Sequence, residues 1–184
     1  MKNKKCDWCL ESQLYEDYHD NEWGKPLHDD QKLFEFLVLE SFQAGLSWLT
    51  ILKKRENFRQ AFNNFEIDKV ADYTDDEIEE LSKNAGIIRN KLKINAAINN
   101  AKCVKKVQKE HGSFNDFLWS YVDHKPLQTN FMTINDVPSE TELSQKICKD
   151  LKKKGFKFVG PTIIYAFMQA TGMTNDHLLE CPSR

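Results

Sequence analysis

The segment Lys152-Lys-Lys-Gly155-Phe-Lys-Phe-Val-Gly160-Pro161 decides how this 184-residue chain is expected to fold. Two glycines bracket a short run of residues, which is typical of a tight hairpin. Pro161 suits the first position of a helix, where its missing N–H would be unpaired in any case. The flanking sequence has apolar residues at helical spacing, and Gly172 is a typical helix stop. The segment therefore predicts two helices joined by a hairpin, over about residues 144–172.

Helices are also predicted on the N-terminal side of the hairpin. Residues 32–54 are rich in apolar side chains, and Gly45 is expected to divide them into two helices. Thr74-Asp-Asp-Glu77 matches a capping box that opens a helix, and two further helices are predicted, over residues 89–110 and 114–121. No run alternates apolar and polar residues for long enough to pair into a sheet. With only 7 glycines and 5 prolines, the chain is predicted to be one all-α domain spanning residues 1–184.

The formal net charge of −2 hides an uneven charge pattern. Residues 66–80 contain eight acids and one lysine, whereas residues 81–109 contain eight basic residues and no acid. A second basic block, residues 149–157, has five lysines and one aspartate. Such blocks are typical of solvated helix faces, but local positive charge is also what binding to a polyanion requires. The pattern leaves both interpretations open.

The sequence carries no sign of export or membrane insertion. No stretch reaches the roughly 18 consecutive apolar residues of a membrane span, and Met1-Lys-Asn-Lys-Lys-Cys6 leads into polar sequence. The five cysteines are an odd number, which argues against a disulfide framework and favours free thiols or metal binding. We therefore expect a cytoplasmic monomer that does not bind a membrane.

The hairpin has features that suit contact with a DNA backbone. Gly155 and Gly160 let the main chain approach another molecule closely, and a helix that begins at Pro161 offers free N–H groups to a phosphate. Four lysines surround the hairpin, at positions 152, 153, 154 and 157. A plain helix connection would use the same glycines, but the lysines favour DNA. A hairpin of this kind holds the duplex without reading its bases, so a second, base-handling site is expected.

Glu40 is the acid around which we expect that second site. At 100° per residue it falls on an apolar helix face, whereas Glu35 lies nearer the polar side of the helix. A buried carboxylate needs either an internal Arg or Lys or a cationic ligand. The aromatic residues nearby favour a ligand, because a flipped cationic base would be held by stacking and cation–π attraction. These aromatic residues are Tyr15, Tyr18, Trp23 and Trp48.

Five long motifs, in order along the chain, resemble those of the bacterial 3-methyladenine DNA glycosylase I family. They are Tyr18-His-Asp-Asn-Glu-Trp-Gly24, Glu40-Ser-Phe-Gln-Ala-Gly-Leu-Ser-Trp48, Leu52-Lys-Lys-Arg-Glu-Asn57, Asn84-Ala-Gly-Ile-Ile-Arg89, and the hairpin through Asn175-Asp-His177. The resemblance covers almost the whole chain. It implies a helix-hairpin-helix DNA glycosylase fold, double-stranded DNA with alkylated bases as the partner, hydrolysis of the N-glycosidic bond of 3-methyladenine, and one structural zinc ion.

The resemblance also implies roles for individual residues. Glu40 is expected to recognise the cationic base and is the catalytic candidate, within a pocket formed with Tyr18, Trp23 and Trp48. Residues 43–46 are expected to fill the gap that the flipped nucleotide leaves, through Gln43, Gly45 and Leu46, although Leu46 could instead be a core leucine. Lys157 and Gly160 are expected to contact the DNA backbone.

Two functions from different classes remain open. The first is a monofunctional glycosylase, since no lysine corresponds to a Schiff-base nucleophile that lyase activity would need. The resemblance to glycosylases of this fold also implies a carboxylate after the hairpin that acts as base or electrostatic stabiliser. The nearest acid after Gly160 is Asp176, next to the expected zinc ligand His177, and its distance from the hairpin in the sequence is short for that role. The second is a zinc-stabilised DNA-binding module that only senses alkylation. A pure binding module has no reason to bury Glu40 among aromatic residues, which favours the enzyme.

The zinc ligands can be assigned in two ways. His177 and Cys181 are four residues apart, and Cys6 could complete a site with either His19 or Cys9. Spacing alone favours Cys6-Asp-Trp-Cys9, whereas the resemblance implies Cys6, His19, His177 and Cys181. Four protein ligands leave no position for a reactive water. We therefore expect the metal to join the N- and C-terminal segments and to take no part in catalysis.

Overall fold

The computed structural model describes residues 4–184, and these are predominantly helical. In order, the helices of this region are α1 (Gln13–Asn21), α2 (Asp30–Gln43), α3 (Trp48–Ala61), α4 (Ile67–Ala71), α5 (Asp75–Lys83), α6 (Lys91–His111), α7 (Phe114–Trp119), α8 (Glu142–Lys153) and α9 (Pro161–Ala170). Short 3-10 segments occur at Asp7–Glu11, Asn63–Phe65, Ser120–Val122 and Ile134–Asp136. The predicted helical architecture is confirmed, and no helix among the described residues is long and apolar enough to cross a membrane.

One small parallel pairing was not predicted. β1 (Leu127–Gln128) pairs with β2 (Thr174–Asn175), and Leu127 N–H donates to the Met173 carbonyl at 2.9 Å. Two residues per strand are too few to produce an alternating pattern that a sequence could reveal. The pairing ties the segment after α7 to the C-terminal segment.

The helix boundaries follow the local signals in the sequence. The capping box of Thr74 and Glu77 opens α5, and Pro161 is the first residue of α9. Residues 32–54 are divided at Gly45, where a φ of +83° suits glycine and α2 ends before α3 begins. Ser47 then caps α3 by accepting a hydrogen bond from Thr50 N–H.

Helix α2 is the central element of the core. Every residue from 33 to 42 is buried, and α2 packs against α3, α6, α7 and α9. A helix buried on all its faces must bury any acid it carries. This explains why both Glu35 and Glu40 lie inside the protein, whereas we predicted that Glu35 faces the polar side.

The acidic and basic blocks of the sequence partly neutralise each other in space. Lys91 of α6 lies 2.7 Å from Glu79 of α5, and Lys105 of α6 lies 2.7 Å from Asp68 of α4. These pairs favour the solvated-face interpretation for this part of the basic block. The block around the hairpin is then the stronger candidate for a polyanion contact.

Candidate active site

A cavity of about 310 Å³ contains all four residues predicted to bind the substrate. Helix α1 contributes Tyr18, α2 contributes Glu40 and α3 contributes Trp48, while Trp23 lies just after α1. The same wall includes Tyr15, and the segment after β1 closes another side with Ile134, Val137, Pro138 and Ser139. Residues far apart in sequence therefore converge on one aromatic cavity with a single glutamate.

Glu40 has no counter-charge within residues 4–184. Its residue is 4% exposed, and its Oε2 atom is buried without a hydrogen-bond partner in that part of the chain. Burial raises the pKa of Glu40 to about 8. The alternative of an internal Arg or Lys is therefore not supported by the described residues. Glu35 is different, because Arg59 Nε donates to its Oε1 at 2.8 Å.

Trp48 supplies a second unpartnered polar atom on the same cavity. Its indole Nε1 is buried and donates to no acceptor within residues 4–184. Its ring centroid lies 5.6 Å from that of Tyr18 and 6.5 Å from that of Phe36, which fix the indole in place. A native protein rarely leaves both a buried donor and a buried acceptor unpaired. The cavity therefore suits a flat cationic ligand with polar groups on its edge.

Trp8 belongs to the aromatic wall, although it was not among the residues predicted for the pocket. Its ring makes edge contacts with Tyr15, Trp23 and His19, with centroid distances of 4.9, 5.0 and 5.2 Å. Trp8 lies inside the Cys6-Asp-Trp-Cys9 motif, which the spacing presented as a metal half-site. The signal that could have revealed it is the tryptophan itself, because a metal half-site does not require one.

Cys6, His19, His177 and Cys181 form a buried cluster that could hold a metal ion. Their potential ligand atoms all lie within 4.8 Å of one another. His19 Nε2 is 3.1 Å from His177 Nδ1, and Cys181 Sγ is 3.5 and 3.6 Å from these two nitrogens. Tetrahedral zinc with bonds of about 2.0–2.3 Å would separate its ligands by roughly 3.3–3.8 Å. The cluster therefore has dimensions close to those of a tetrahedral N/S site.

The protonation of the two histidines also favours a cation at the centre of the cluster. His177 Nε2–H donates to the Trp23 carbonyl at 3.0 Å, and His19 Nδ1 lies 2.8 Å from a carboxylate oxygen of Asp20. Burial lowers the pKa of both rings, so each is neutral at pH 7 with its one proton on these outer contacts. Two nitrogen lone pairs then face each other at 3.1 Å. Such lone pairs repel unless a cation lies between them.

Cys9 and Asp176 are both committed to other contacts. The Cys9 thiol donates to the Cys6 carbonyl at 3.1 Å and is not part of the metal cluster. Asp176 lines the cavity but is 1% exposed, and its two carboxylate oxygens accept hydrogen bonds from Thr129, Tyr165, Gln169 and Thr174. With each oxygen already accepting two bonds, Asp176 is poorly placed to take a proton from water.

The residues predicted to fill a DNA gap lie on a protruding turn. Ala44 has φ −47° and ψ 116°, Gly45 has φ +83°, and Leu46 N–H donates to the Gln43 carbonyl at 2.6 Å. These values define a type II turn. Gln43 lines the cavity and Leu46 is 42% exposed, so the alternative of a core leucine is wrong.

The hairpin between α8 and α9 is held from behind by α6. Asn100 is buried and bonds both sides of Lys157: its Oδ1 accepts from the Lys157 N–H at 2.8 Å and its Nδ2 donates to the Lys157 carbonyl at 2.9 Å. Asn99 donates to the Gly155 carbonyl at 2.9 Å. Neither asparagine was predicted to contact the hairpin. A polar pair among the apolar positions of α6 was the available signal.

The hairpin lysines are not equivalent. Lys152 and Lys157 are exposed and make no ion pair with any residue of 4–184. Lys153 lies 3.1 Å from Asp150, and Lys154 lies 2.6 Å from Glu110. Lys152 and Lys157 are therefore the two hairpin lysines that can bind an external anion without first breaking an ion pair within the described chain.

Comparison with known proteins gives consistent matches. A family model described as methyladenine glycosylase matches residues 8–184. A relative from Haemophilus influenzae named DNA-3-methyladenine glycosylase is 47% identical over 180 residues, covering 98% of this chain and 97% of its own. A crystal structure of 3-methyladenine DNA glycosylase I, 47% identical, superposes with a TM-score of 0.94 and covers 97% of this chain and 98% of its own. A variant of such an enzyme in complex with 3-methyladenine, 41% identical, also has a TM-score of 0.94, with coverage of 97% and 96%.

Proposed function

The chain belongs to the methyladenine glycosylase family, and we propose that it excises 3-methyladenine from alkylated double-stranded DNA by hydrolysing the N-glycosidic bond. The observation that carries this proposal is the buried, unpartnered carboxylate of Glu40 in an aromatic cavity. Methylation at N3 gives the adenine a positive charge, which normal adenine lacks. An unpaired carboxylate in a low-dielectric cavity therefore distinguishes the damaged base from the normal one.

The chemistry requires little from the protein beyond binding and orientation. A methylated adenine leaves as a neutral base, so no side chain has to protonate it. Glu40 gives its proton to solvent as the cation enters, and its carboxylate then stabilises positive charge on the sugar as the C–N bond breaks. The bonding electrons leave with the neutral base, and a water molecule adds to the sugar carbon and loses a proton to solvent. Tyr18, Trp23 and Trp48 stack against the base and exclude water from its faces. We infer that Glu40 both recognises the base and assists the reaction.

We also propose that the enzyme is monofunctional. A lyase needs an amine nucleophile that can reach the sugar as a Schiff base. No lysine of residues 4–184 lines the cavity. Asp176, with both its oxygens occupied by hydrogen bonds, holds the cavity wall together and does not act as the base.

DNA binding is proposed to use two separate surfaces. The turn at residues 43–46 enters the duplex with Leu46, supported by Gln43 and Gly45, as the damaged nucleotide leaves the stack. Lys157, with the α9 N-terminus that follows Gly160, holds the phosphate backbone. One chain supplies both surfaces, so we propose that a monomer acts on DNA in the cytoplasm.

We propose that Cys6, His19, His177 and Cys181 hold one structural zinc ion. The facing lone pairs of the two histidines and the two cysteine thiols suit zinc, which prefers N and S ligands in tetrahedral geometry. The ion would supply a cross-link between the N- and C-terminal segments. Because Cys6 also lines the cavity and His177 packs on Trp23 at 4.7 Å, this cross-link would support the aromatic wall from behind.

Release of bases from methylated DNA tests the proposed function. The protein is incubated with duplex DNA treated with a methylating agent, and the released bases are identified by chromatography. We expect release of 3-methyladenine, with 7-methylguanine largely retained, because one acid in one aromatic cavity fits one shape of cation. DNA binding without any base release would instead support the alkylation-sensing module. Equal release of both bases would contradict the proposed selectivity.

A further inference from the structure

Lys93 is a buried lysine outside the cavity, and its position connects α6 to the turn at residues 43–46. It is the third residue of α6 and is 7% exposed. Its Nζ donates to the Phe42 carbonyl and to the Ala44 carbonyl, both at 2.8 Å. A helix leaves its last carbonyls without partners. Lys93 satisfies two such carbonyls where α2 ends.

The location of this charge is costly in three respects. Burial lowers the pKa of Lys93. The first turn of α6 contains Lys91 and Lys93 and no acid, so both charges oppose the positive end of that helix dipole. No carboxylate of residues 4–184 lies within ion-pair distance of Lys93. In compensation, the ammonium lies at the negative C-terminal end of α2.

Little else connects this turn to the body of the protein. Ala44, Gly45, Leu46 and Ser47 are all exposed. A Cβ atom built on Gly45 would have no atom within 4 Å, so nothing packs over the centre of the turn. The turn's internal bond, from Leu46 N–H to the Gln43 carbonyl, fixes its shape but not its direction. The two bonds from Lys93 tie the start of the turn to α6.

We propose that Lys93 is a positioning residue, which holds the turn at residues 43–46 so that Leu46 can enter the DNA stack as the damaged nucleotide leaves. This inference rests on the proposed function, because it assigns Lys93 a role in the same base-flipping step. The proposal assigns two separate functions to α2 and the turn that follows it, which are base binding and nucleotide flipping. Glu40, one turn earlier, binds the base whether or not the turn is held, whereas flipping needs the held turn.

Paired measurements on Lys93→Met test the proposal. Lys93→Met keeps an unbranched side chain that is one atom shorter and removes both hydrogen bonds. Lys91→Met is the matched control, because it removes the same charge from the same turn of α6 at an exposed position paired with Glu79. Three quantities are measured for each variant: affinity for free 3-methyladenine, single-turnover base release from methylated duplex, and fluorescence of 2-aminopurine placed opposite a stable abasic-site analogue at saturating protein.

We expect Lys93→Met to bind free 3-methyladenine like the wild type but to release base about tenfold or more slowly, with a reduced 2-aminopurine signal. Lys93→Arg should recover part of both losses, and Lys91→Met should show neither. In a Leu46→Ala background, Lys93→Met should have little further effect, because both changes remove the same step. If Lys93→Met does not fold, Lys93→Gln takes its place with the same expected outcomes.

The results distinguish this proposal from the proposed function. Wild-type protein that releases no base from methylated DNA would contradict the function itself. Active wild type together with an equally active Lys93→Met would overturn the role of Lys93. The role would also be overturned if Lys93→Met lost free-base affinity in proportion to its rate, because the lysine would then support the whole fold and not the turn.

Discussion

Glu35 and Glu40 lie on the same helix and are both buried, yet only Glu35 has a counter-charge. Arg59 approaches Glu35 at 2.8 Å, while Glu40 Oε2 has no partner within residues 4–184. An ion-pair partner offsets part of the free energy that a buried carboxylate loses on leaving water, and an unpaired buried carboxylate has no such compensation. Glu35 therefore stabilises the fold through its ion pair, whereas Glu40 is available to bind a cationic ligand.

The first prediction concerns stability and pH. The native state keeps the Glu40 proton up to a pKa of about 8, whereas the unfolded chain loses it near the ordinary glutamate pKa of 4.5. The native state therefore binds more protons between these values, so the free energy of unfolding falls as pH rises from about 4.5 to 8. Glu40→Gln should remove this loss, on the order of 4 kcal/mol at most.

Urea unfolding at pH 5 and pH 8 checks this first prediction. Glu40→Gln should gain stability relative to the wild type at pH 8 and much less at pH 5. Glu35→Gln is the control, and it should lose stability at both pH values because Arg59 is left without its partner. An identical pH dependence in the wild type and Glu40→Gln would mean that Glu40 is not the titrating group.

The second prediction concerns recognition of the base. Glu40→Gln keeps the size of the side chain and removes its charge, so it should weaken binding of free 3-methyladenine by about 1–3 kcal/mol. Calorimetry or tryptophan quenching measures the affinity, since Trp48 lies beside the base site. Unchanged affinity would assign Glu40 a structural role only.

The third prediction uses the unpaired indole of Trp48. Trp48→Phe removes an N–H that bonds to nothing within residues 4–184, so it should cost little stability beyond lost packing while weakening base binding. Trp119→Phe is the control, because Trp119 Nε1 donates to the Leu27 carbonyl at 2.9 Å. That variant should lose stability and keep base affinity in its folded fraction. The opposite pattern would contradict a ligand role for the Trp48 N–H.

The helical elements were predictable because their signals are local. The capping box at Thr74, the proline at 161 and the glycine at 45 each fix a boundary through nearby backbone geometry. The burial of Glu40 was predictable for a similar reason, since helical periodicity placed it among apolar residues. Glu35 was misjudged because periodicity describes a helix with one exposed side, and α2 is covered on every side.

Long-range contacts could not be predicted from the sequence. Lys93 reaches the Phe42 carbonyl from 51 positions away, and Asn100 reaches Lys157 from 57 positions away. Bonds of this kind depend on how helices pack, which no local pattern records. Trp8 was overlooked for a different reason, because two flanking cysteines suggested another chemistry. The residues that were not predicted are therefore those that support the site from neighbouring helices and segments.

The fourth prediction concerns the hairpin lysines. Lys152 and Lys157 make no ion pair in the described chain, whereas Lys154 is paired with Glu110. Replacing Lys152 or Lys157 by Gln should lower DNA affinity equally for all sequences and flatten the slope of log K against log salt by about 0.9 for each lost phosphate contact. Lys154→Gln should change the slope less. Fluorescence anisotropy at several salt concentrations measures these slopes, and wild-type slopes in all variants would assign the lysines to a solvated face.

The last prediction concerns the metal. Two ligands come from the N-terminal segment and two from the C-terminal segment, so zinc can bind only when both are in place, and its binding energy adds to the stability of the fold. Metal analysis should give one zinc per chain. Cys6→Ser and His177→Ala should each lose the zinc and lower the melting temperature. Free-base affinity should fall with it, because Cys6 lines the cavity and the His177 ring packs on Trp23.

Cys9→Ser provides the matched control for the metal prediction. Cys9 is as buried as Cys6, but its thiol bonds to a backbone carbonyl and lies outside the four-residue cluster. Cys9→Ser should therefore keep the zinc and the affinity for free base, whereas His19→Ala should lose both. The reverse result, with zinc lost from Cys9→Ser and kept in His19→Ala, would identify Cys6 and Cys9 as the true half-site.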